Sequence, residues 1–183
     1  MLIIQEIKAL IGFLILNYPD TKFGFWLREK YWKRIHKNRI GENCVIHRAT
    51  KIGLKDMVEI GDYFNMGEYV TIAAGDSHPI FIGNHVQLAR GAYLRTANHS
   101  FKDLTQPILF QGHSFKTIDF QNKKYSIVVE DDVWIAANAV ILSGAHIGKG
   151  SIIGSSSVVR GVIPPYSIAI GNPAQVVSTR ENR

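Results

Sequence analysis

The stretch VEDDVWIAANAVILSGAHIGKGSIIGSSSVV, residues 129–159, places an aliphatic side chain at every sixth position. A period of six fits neither the 3.6-residue turn of an α-helix nor the simple alternation of a strand. It is typical of short strands joined by corners, in which each coil of the chain stacks on the previous one. The stretch therefore predicts a parallel β-solenoid built from hexapeptides. Its six periodic residues are Val129, Ile135, Ile141, Ile147, Ile153 and Val159.

The same period runs through residues 40–94, with short interruptions before Ile60 and at residues 76–79. We expect its aliphatic side chains to point inward, while neighbouring coils satisfy each other's backbone hydrogen bonds. A glycine often follows, as at Gly41 and Gly61, where a tight corner has room only for a small side chain. The upstream periodic residues are Ile40, Ile46, Ile52, Ile60, Met66, Ile72, Ile82, Leu88 and Leu94.

The repeat divides the chain into three parts. An all-β domain is expected over residues 40–178, after an N-terminal segment, residues 1–39, and before a short tail, residues 179–183. The period is lost in a long excursion, residues 97–127. An excursion of that length inside a compact domain is usually functional or disordered, so its start is the first place to look for a site.

Charge and cysteine content narrow the function classes. The formal net charge is +6, but residues 1–39 hold eight Lys and Arg against three Asp and Glu, whereas the other 144 residues hold 13 against 12. With no recognised nucleic-acid module and no basic strand studded with aromatic residues, we predict no nucleic-acid partner. The single cysteine, Cys44, excludes an intrachain disulfide and indicates a reducing, cytoplasmic location. It falls at a small-residue position of the repeat and is interpreted as a core residue.

The N-terminal segment leaves two interpretations open. Residues 1–16 are largely apolar but contain Glu6 and Lys8, and they are shorter than the roughly 20 residues of a membrane-spanning helix. A signal peptide also fits badly, because the basic n-region is missing. Residues 22–39 mix aromatic and basic side chains and predict an amphipathic helix. Both segments pack on the main domain or a neighbouring subunit, contact the head-group layer of an anionic membrane as a peripheral protein, or do both.

Two stretches carry a family resemblance. VVEDDVWIAANAVILSGAHIGKGSIIGSSSVVRGVIPPYSIAIGNPAQVV, residues 128–177, resembles the C-terminal half of the hexapeptide-repeat acyltransferases, which include galactoside, maltose, serine and xenobiotic acetyltransferases. IGNHVQLARGAYLRTANHSF, residues 82–101, with the basic N-terminal segment, is most similar to the bacterial polysaccharide O-acetyltransferases of O-antigen and capsule clusters. The resemblance implies a left-handed parallel β-helix, an exception to the right-handed rule for parallel crossovers. It also implies an acetyl-CoA co-substrate, no metal, and a homotrimer with active sites between neighbouring subunits.

The resemblance further implies a general base at His99. Imidazole titrates near neutral pH, so His99 can take the proton of an acceptor hydroxyl as that oxygen attacks the thioester carbonyl. Backbone N–H groups beside the cofactor groove are expected to stabilise the oxyanion. Direct transfer is expected, because no residue is a convincing covalent nucleophile. Asn98 and Glu68 are predicted to line the acceptor pocket, and His78 is a further candidate. The histidines interpreted as surface or loop residues are His36, His47, His85, His113 and His146.

Six residues are expected along the cofactor groove. The resemblance places Trp134 beside the pantetheine arm, with plain packing as the alternative. At Gln175 many relatives have Lys or Arg, so one contact to the 3′-phosphate is in doubt, and Lys149 or Arg180 could replace it as a point charge. Ala137 and Ser155 are expected to present backbone groups along the groove. Arg160 and Gly161 are expected near the nucleotide end. The six are Trp134, Ala137, Ser155, Arg160, Gly161 and Gln175.

The function expected from these features is acetyl-CoA-dependent O-acetylation of a sugar in surface-polysaccharide biosynthesis. One alternative is N-acetylation of a nucleotide-linked amino sugar, which needs less base assistance because a free amine is the nucleophile. A non-catalytic scaffold is the other alternative, although it does not require an Asn-His pair at the break. A γ-class carbonic anhydrase shares the β-helix but needs three histidine ligands, two of them close together, and no such pair occurs here.

Overall fold

The computed structural model of the protein describes residues 2–37, 39–53, 56–75 and 78–180. Two α-helices come first, α1 (Leu2–Asn17) and α2 (Lys22–Ile35), so the predicted helical N-terminal segment is confirmed. The later described elements are short strands and one 3₁₀ helix. Residues 76–77 of the second interruption and residues 181–183 of the predicted tail lie outside the described ranges.

Most strands belong to three parallel sheets, which the chain visits in fixed rotation. Sheet A contains β3 (Val58–Ile60), β6 (Ile80–Ile82), β13 (Ile127–Val129), β16 (Ala145–Ile147) and β19 (Val162–Ile163). Sheet B contains β1 (Val45–Ile46), β4 (Asn65–Met66), β7 (Gln87–Leu88), β14 (Trp134–Ile135), β17 (Ile152–Ile153) and β20 (Ser167–Gly171), with β21 (Ala174–Thr179) added antiparallel at its edge. Sheet C contains β2 (Lys51–Ile52), β5 (Thr71–Ala73), β8 (Tyr93–Arg95), β15 (Val140–Leu142) and β18 (Val158–Val159). The rotation produces the stacked coils that the period predicts.

The aliphatic repeat builds the core. Ile135 pairs in register with Leu88 on one side and Ile153 on the other, so aliphatic side chains stack from coil to coil. All fifteen periodic residues are at most 6% exposed. Burying one such side chain contributes roughly 1.5–3 kcal/mol, so this column is the main source of stability.

The glycines after the aliphatic residues are explained by close contact between coils. A Cβ on Gly61 would lie 2.5 Å from Asn84 Oδ1 and 2.7 Å from the carbonyl carbon of Gly83 in the next coil. The left-handed torsion of each corner falls two residues later, on Tyr63 (φ 56°) and His85 (φ 56°). The predicted need for a small residue is therefore correct, but steric contact along the stack, and not the turn itself, is the reason.

The excursion is folded into two β-hairpins, whereas the sequence predicted only a long loop. The second hairpin covers the outer face of sheet A, where the Phe120 and Tyr125 rings lie 5.1 and 5.6 Å from the Phe81 ring. The first hairpin stands exposed at the corner between sheets C and A. The first pairs β9 (Asn98–His99) with β10 (His113–Ser114) around a 3₁₀ helix at Ile108–Phe110, and the second pairs β11 (Ile118–Phe120) with β12 (Lys123–Tyr125).

Helix α2 packs on the first coil. Trp32 is 7% exposed and joins the core, and the buried Arg28 side chain donates from Nε to the carbonyl oxygen of Ile46 at 2.5 Å. Helix α1 packs mainly on α2, where Gly12 lies so close to Tyr31 that an added Cβ would be 2.7 Å from the phenol oxygen. The packing interpretation therefore holds for α2. None of the described helices is both long and apolar enough to cross a membrane.

The fold buries two residues of this region, Cys44 and His36. Cys44 is 3% exposed, as predicted for a core residue, and burial raises the pKa of its thiol to about 11. The prediction that His36 is a surface residue is wrong, because its side chain is fully buried beside Trp32. Burial lowers the pKa of His36, and nearby Asp56 opposes that shift.

Candidate functional site

His99 lies on β9 at the corner between sheets C and A. Its strand is held on both sides: the carbonyl of Ala97 accepts a hydrogen bond from Arg95 Nε at 2.8 Å, and the Ser100 amide donates to the carbonyl of Gly112 at 3.1 Å. Arg95 is itself fixed by a 3.2 Å hydrogen bond to the Tyr93 hydroxyl. The His99 side chain is exposed. An exposed imidazole on a strand held in this way can accept a proton from a molecule that binds at the corner.

A second imidazole faces His99 across the hairpin. His113 is its register partner, and the two rings lie 4.9 Å apart at 31°. The sequence interpretation of His113 as a surface or loop residue missed this neighbour. Only the pairing of β9 with β10 places it there, and no spacing in the sequence indicates that pairing.

The second interruption supports the base of the first hairpin. The Gly75 amide donates to the buried hydroxyl of Thr96 at 2.8 Å, and the His78 ring stacks on Phe115 at 3.5 Å. His78 is 9% exposed, and its Nδ1 has no hydrogen-bond partner among the described residues. The structure therefore brings His78 to the His99 corner, but beneath Phe115 and away from an open surface.

The loop of the first hairpin is internally braced and borders a cavity of about 380 Å³ that runs from Ser100 to Ser114. Asp103 accepts hydrogen bonds from the Thr105 hydroxyl at 2.6 Å, the Thr105 amide at 2.9 Å and Gln106 at 2.7 Å. These bonds lower the pKa of the Asp103 carboxyl, the Thr105 hydroxyl most strongly. This cavity, which begins one residue after His99 and is not lined by it, thus has a preformed wall.

Glu68 does not share this corner. It lies at the corner between sheets B and C, where its carboxylate bridges Arg48 Nε at 2.9 Å and Arg90 Nη1 at 3.4 Å. Asn98, in contrast, is adjacent to His99 and pairs with Ser114. The two predicted acceptor residues therefore lie at different corners of one chain.

The predicted cofactor residues are also divided between corners. Trp134, 48% exposed on sheet B, is followed by Ala137 at the corner between sheets B and C, and Ser155 occupies the same corner one coil further on. Arg160 and Gly161 lie at the corner between sheets C and A. This is the His99 corner two coils later, about 10 Å along the stack at the usual strand spacing.

The nucleotide end of the predicted groove has room and positive charge. Nothing lies within 4 Å of a Cβ built on Gly161, and the exposed Arg160 forms no salt bridge with the residues that the structure describes. These features fit a phosphate-bearing molecule. Gln175 lies on β21 opposite Ile170, beyond the edge of the coil. Arg180, the suggested substitute, is paired with Asp132 at 2.8 Å.

No group of three or more His, Cys, Asp or Glu that could hold a metal ion occurs within residues 2–37, 39–53, 56–75 and 78–180. The exposed His99 imidazole lies at the corner with His113 opposite it and Asn98 next to it on the braced hairpin. The arrangement suits acid–base chemistry on a bound hydroxyl or amine.

Comparison with known proteins finds matches to the six-residue repeat. The family model for bacterial transferase hexapeptide (six repeats) matches residues 126–161. A Mycobacterium tuberculosis protein named "Probable acetyltransferase" is 31% identical over 161 residues, covering 78% of this chain and 50% of that protein. Galactoside O-acetyltransferase of Lactococcus lactis is 32% identical over 143 residues, covering 76% of this chain and 61% of the enzyme. The chain thus spans about half to three-fifths of the length of these two relatives.

A third relative and a solved structure match over greater shares of their own length. The "Putative colanic acid biosynthesis acetyltransferase" of Escherichia coli is 28% identical over 148 residues, covering 80% of this chain and 72% of that protein. The crystal structure of a hexapeptide-repeat-containing acetyltransferase from Vibrio cholerae superposes with a TM-score of 0.72 at 26% identity, covering 98% of this chain and 93% of that one. The same Vibrio protein in complex with acetyl coenzyme A gives a TM-score of 0.69. With its six-residue period and its three parallel sheets, the chain is similar in sequence and fold to the hexapeptide-repeat acetyltransferases.

Proposed function

We propose that the protein is an acetyl-CoA-dependent O-acetyltransferase that modifies a sugar during surface-polysaccharide assembly. The placement of His99 carries the proposal: the repeat breaks to present an exposed imidazole on a braced hairpin at the rim of a rigid stack. Relatives named for galactoside O-acetylation and colanic acid biosynthesis support the choice of a sugar acceptor. The acetyl-CoA complex of the Vibrio protein supports the choice of donor.

His99 acts as the general base in the proposed reaction. It accepts the proton of the acceptor hydroxyl while that oxygen bonds to the thioester carbonyl carbon. The tetrahedral intermediate then expels the coenzyme A thiolate, and the His99 imidazolium donates its proton to that thiolate. The products are an acetyl ester and coenzyme A thiol, and His99 returns to its neutral form. Asn98 is proposed to orient the acceptor beside the base.

Transfer is proposed to be direct, without a covalent acetyl-enzyme. The chain's one thiol, Cys44, is 3% exposed in the first coil, and burial raises its pKa to about 11. A thiol that is buried and protonated at neutral pH is a poor nucleophile, because the thiolate is the reactive form. The acceptor and acetyl-CoA must therefore be bound at the same time.

A complete site is proposed to form between subunits of a homotrimer of left-handed coils. Within one chain, Glu68, Ala137 and Ser155 occupy the corner between sheets B and C, and Trp134 lies on the strand that leads to it. His99 and Arg160 occupy the corner between sheets C and A. Packing three chains side by side could bring one corner of a subunit against the other corner of its neighbour. In that arrangement Trp134 contacts the pantetheine arm, and Arg160 and Gly161 hold the nucleotide end. We place the reaction in the cytoplasm, where acetyl-CoA is available.

The test is coenzyme A release by the purified full chain over a panel of free, nucleotide-linked and lipid-linked sugars. The proposal expects turnover with one class of hydroxyl acceptor, and acetyl-CoA binding by calorimetry even without an acceptor. Absence of acetyl-CoA binding by the folded protein would contradict an enzymatic role. Turnover with amino sugars alone would instead assign the protein to N-acetylation.

A further inference from the structure

Helix α1 exposes an apolar surface that the β-sheets do not cover. Seven of its large apolar side chains are between 50% and 76% exposed, although Gly12 on the opposite side is buried against Tyr31. Burying such side chains is worth roughly 1.5–3 kcal/mol each, so a soluble monomer rarely leaves this many together. The seven are Ile3, Ile4, Ile7, Leu10, Ile11, Phe13 and Leu14.

An apolar groove of about 620 Å³ runs between α1 and α2. Ile11 and Ile15 of α1 form one wall, and Trp26 and Leu27 of α2 form the other. Trp26 is 50% exposed and stacks on Phe23 at 5.6 Å. Aromatic rings beside an aliphatic surface are typical of the interface between lipid and water.

A cationic pocket of about 490 Å³ adjoins this groove and shares Lys30 and Arg34 with it. Both residues are exposed, and neither forms a salt bridge with the residues that the structure describes. The other two cations of the pocket are paired. Lys33 is buried and bound to Glu29 at 3.0 Å and Glu42 at 2.6 Å, and Lys37 lies 3.4 Å from Asp56. Two unneutralised cations thus lie at the rim of an apolar groove, as the head group of an anionic lipid would require.

We propose that this α1–α2 surface docks the protein on an anionic phospholipid bilayer, with the apolar face of α1 in the interface and with Lys30 and Arg34 against the phosphates. The 16 residues of α1 make a helix about 24 Å long, so it lies along the interface and does not cross the bilayer. In a two-fold contact of this surface with itself, the unpaired Lys30 and Arg34 of one copy would face the same cations of the other, which disfavours a second copy of this chain as the occupant. The docking surface is independent of acetyl transfer, since it uses none of the residues assigned to the reaction.

The experiment is co-sedimentation of the full chain with phosphatidylcholine vesicles and with mixed phosphatidylcholine–phosphatidylglycerol vesicles, without acetyl-CoA or acceptor. Binding is expected to the mixed vesicles and to weaken as salt is added. Each Lys or Arg near an anionic surface contributes about fivefold to the partition coefficient, so Lys30→Gln with Arg34→Gln is expected to weaken partitioning about 25-fold. Ile4→Ser with Ile7→Ser is expected to abolish most of the remaining binding, because both residues are exposed in the free protein.

Matched controls separate docking from general charge and hydrophobicity. Lys51→Gln with Lys124→Gln removes the same charge from other exposed positions, and Val162→Ser with Val177→Ser removes exposed apolar groups elsewhere. Both controls are expected to bind vesicles like the original chain. Failure of the original chain to bind mixed vesicles overturns the proposal. A change of oligomeric state in Ile4→Ser with Ile7→Ser, measured by analytical ultracentrifugation, would assign the surface to a second copy instead.

Discussion

Replacing Asp20 by Asn tests how the helices are fastened to the coils. The fully buried Arg28 side chain is held by the carbonyl oxygens of Tyr18 and Ile46 and by Asp20 Oδ1 at 2.6 Å. Asp20 also accepts from the Arg48 amide at 3.1 Å and contacts His47 Nδ1 at 2.8 Å. Burial lowers the pKa of Arg28 and the Asp20 charge opposes that shift, so the carboxylate is the group that compensates the buried cation.

The expected loss of stability follows from that geometry. Removing one partner of a buried ion pair costs about 3–5 kcal/mol, because the other charge stays buried without compensation. The Asp20 side chain is 23% exposed, so water can replace part of the lost interaction. We therefore expect Asp20→Asn to lower the free energy of unfolding by about 3 kcal/mol, the lower end of that range. This is a large share of the roughly 5–15 kcal/mol that stabilises a typical domain.

The assay is urea unfolding at one fixed protein concentration, since association makes apparent stability depend on concentration. Circular dichroism reports the helices, and tryptophan fluorescence reports both α2 and the coils. Asp119→Asn is the matched control: its partner Lys124 is 3.2 Å away and both side chains are at least 70% exposed, so its effect should stay below about 1 kcal/mol. Equal stabilities of the two variants would refute the assigned role of Asp20.

Three further predictions follow from single positions. Gly61→Ala should destabilise the chain by about 1–3 kcal/mol in the same urea assay, because its Cβ would lie 2.5 Å from Asn84 Oδ1, whereas Gly161→Ala, with nothing within 4 Å, should cost little. Burial lowers the pKa of His36 in the folded state, so the unfolded chain binds a proton at this imidazole more readily than the folded chain does. The free energy of unfolding should therefore fall as the pH drops below about 6.5, by up to ~1.4 kcal/mol per pH unit. His36→Phe should remove that part of the pH dependence, and an unchanged slope would contradict it. Cys44, buried and with its pKa raised to about 11, should react with a thiol reagent far more slowly in the native chain than in urea.

The hydrophobic period was enough to predict the coils. A side chain at every sixth position can reach a common interior only if each hexad forms one strand and one corner, and the buried column from Ile40 to Val159 follows that rule. The hairpins of the excursion could not be predicted in this way. The pairing of β9 with β10 is exposed and polar, so no buried face fixes its register in the sequence.

The spacing of residues in the sequence indicates that His36 is buried, but the many basic residues around it obscure this pattern. Arg28, Trp32 and His36 follow one another at intervals of four residues, which aligns them along one face of α2 and the cap residue that ends it. All three are buried against the first coil. A face with two polar residues in three does not stand out by hydrophobicity, and the exposed basic side chains dominate the pattern of the helix.

The candidate site was only partly accessible from the sequence. The loss of the period and the family resemblance both pointed to His99, and the structure places that residue on an exposed, braced strand. The proximity of His113 depends on hairpin pairing. The separation of Glu68 and Trp134 from His99 depends on which corner of the coil each hexad occupies. The six-residue period alone does not say which of these corners would face a neighbouring subunit.

The most direct test of catalysis by His99 is the turnover of His99→Ala with an acceptor that the original chain acetylates. His85→Asn is the matched control, because His85 is an exposed histidine at the corner between sheets A and B with φ 56°, which asparagine tolerates. Coenzyme A release by folded His99→Ala is expected to fall by about 10²- to 10⁴-fold, the usual cost of losing a general base, and release by His85→Asn is expected to remain unchanged. Equal turnover of His99→Ala and the original chain would contradict the proposed mechanism.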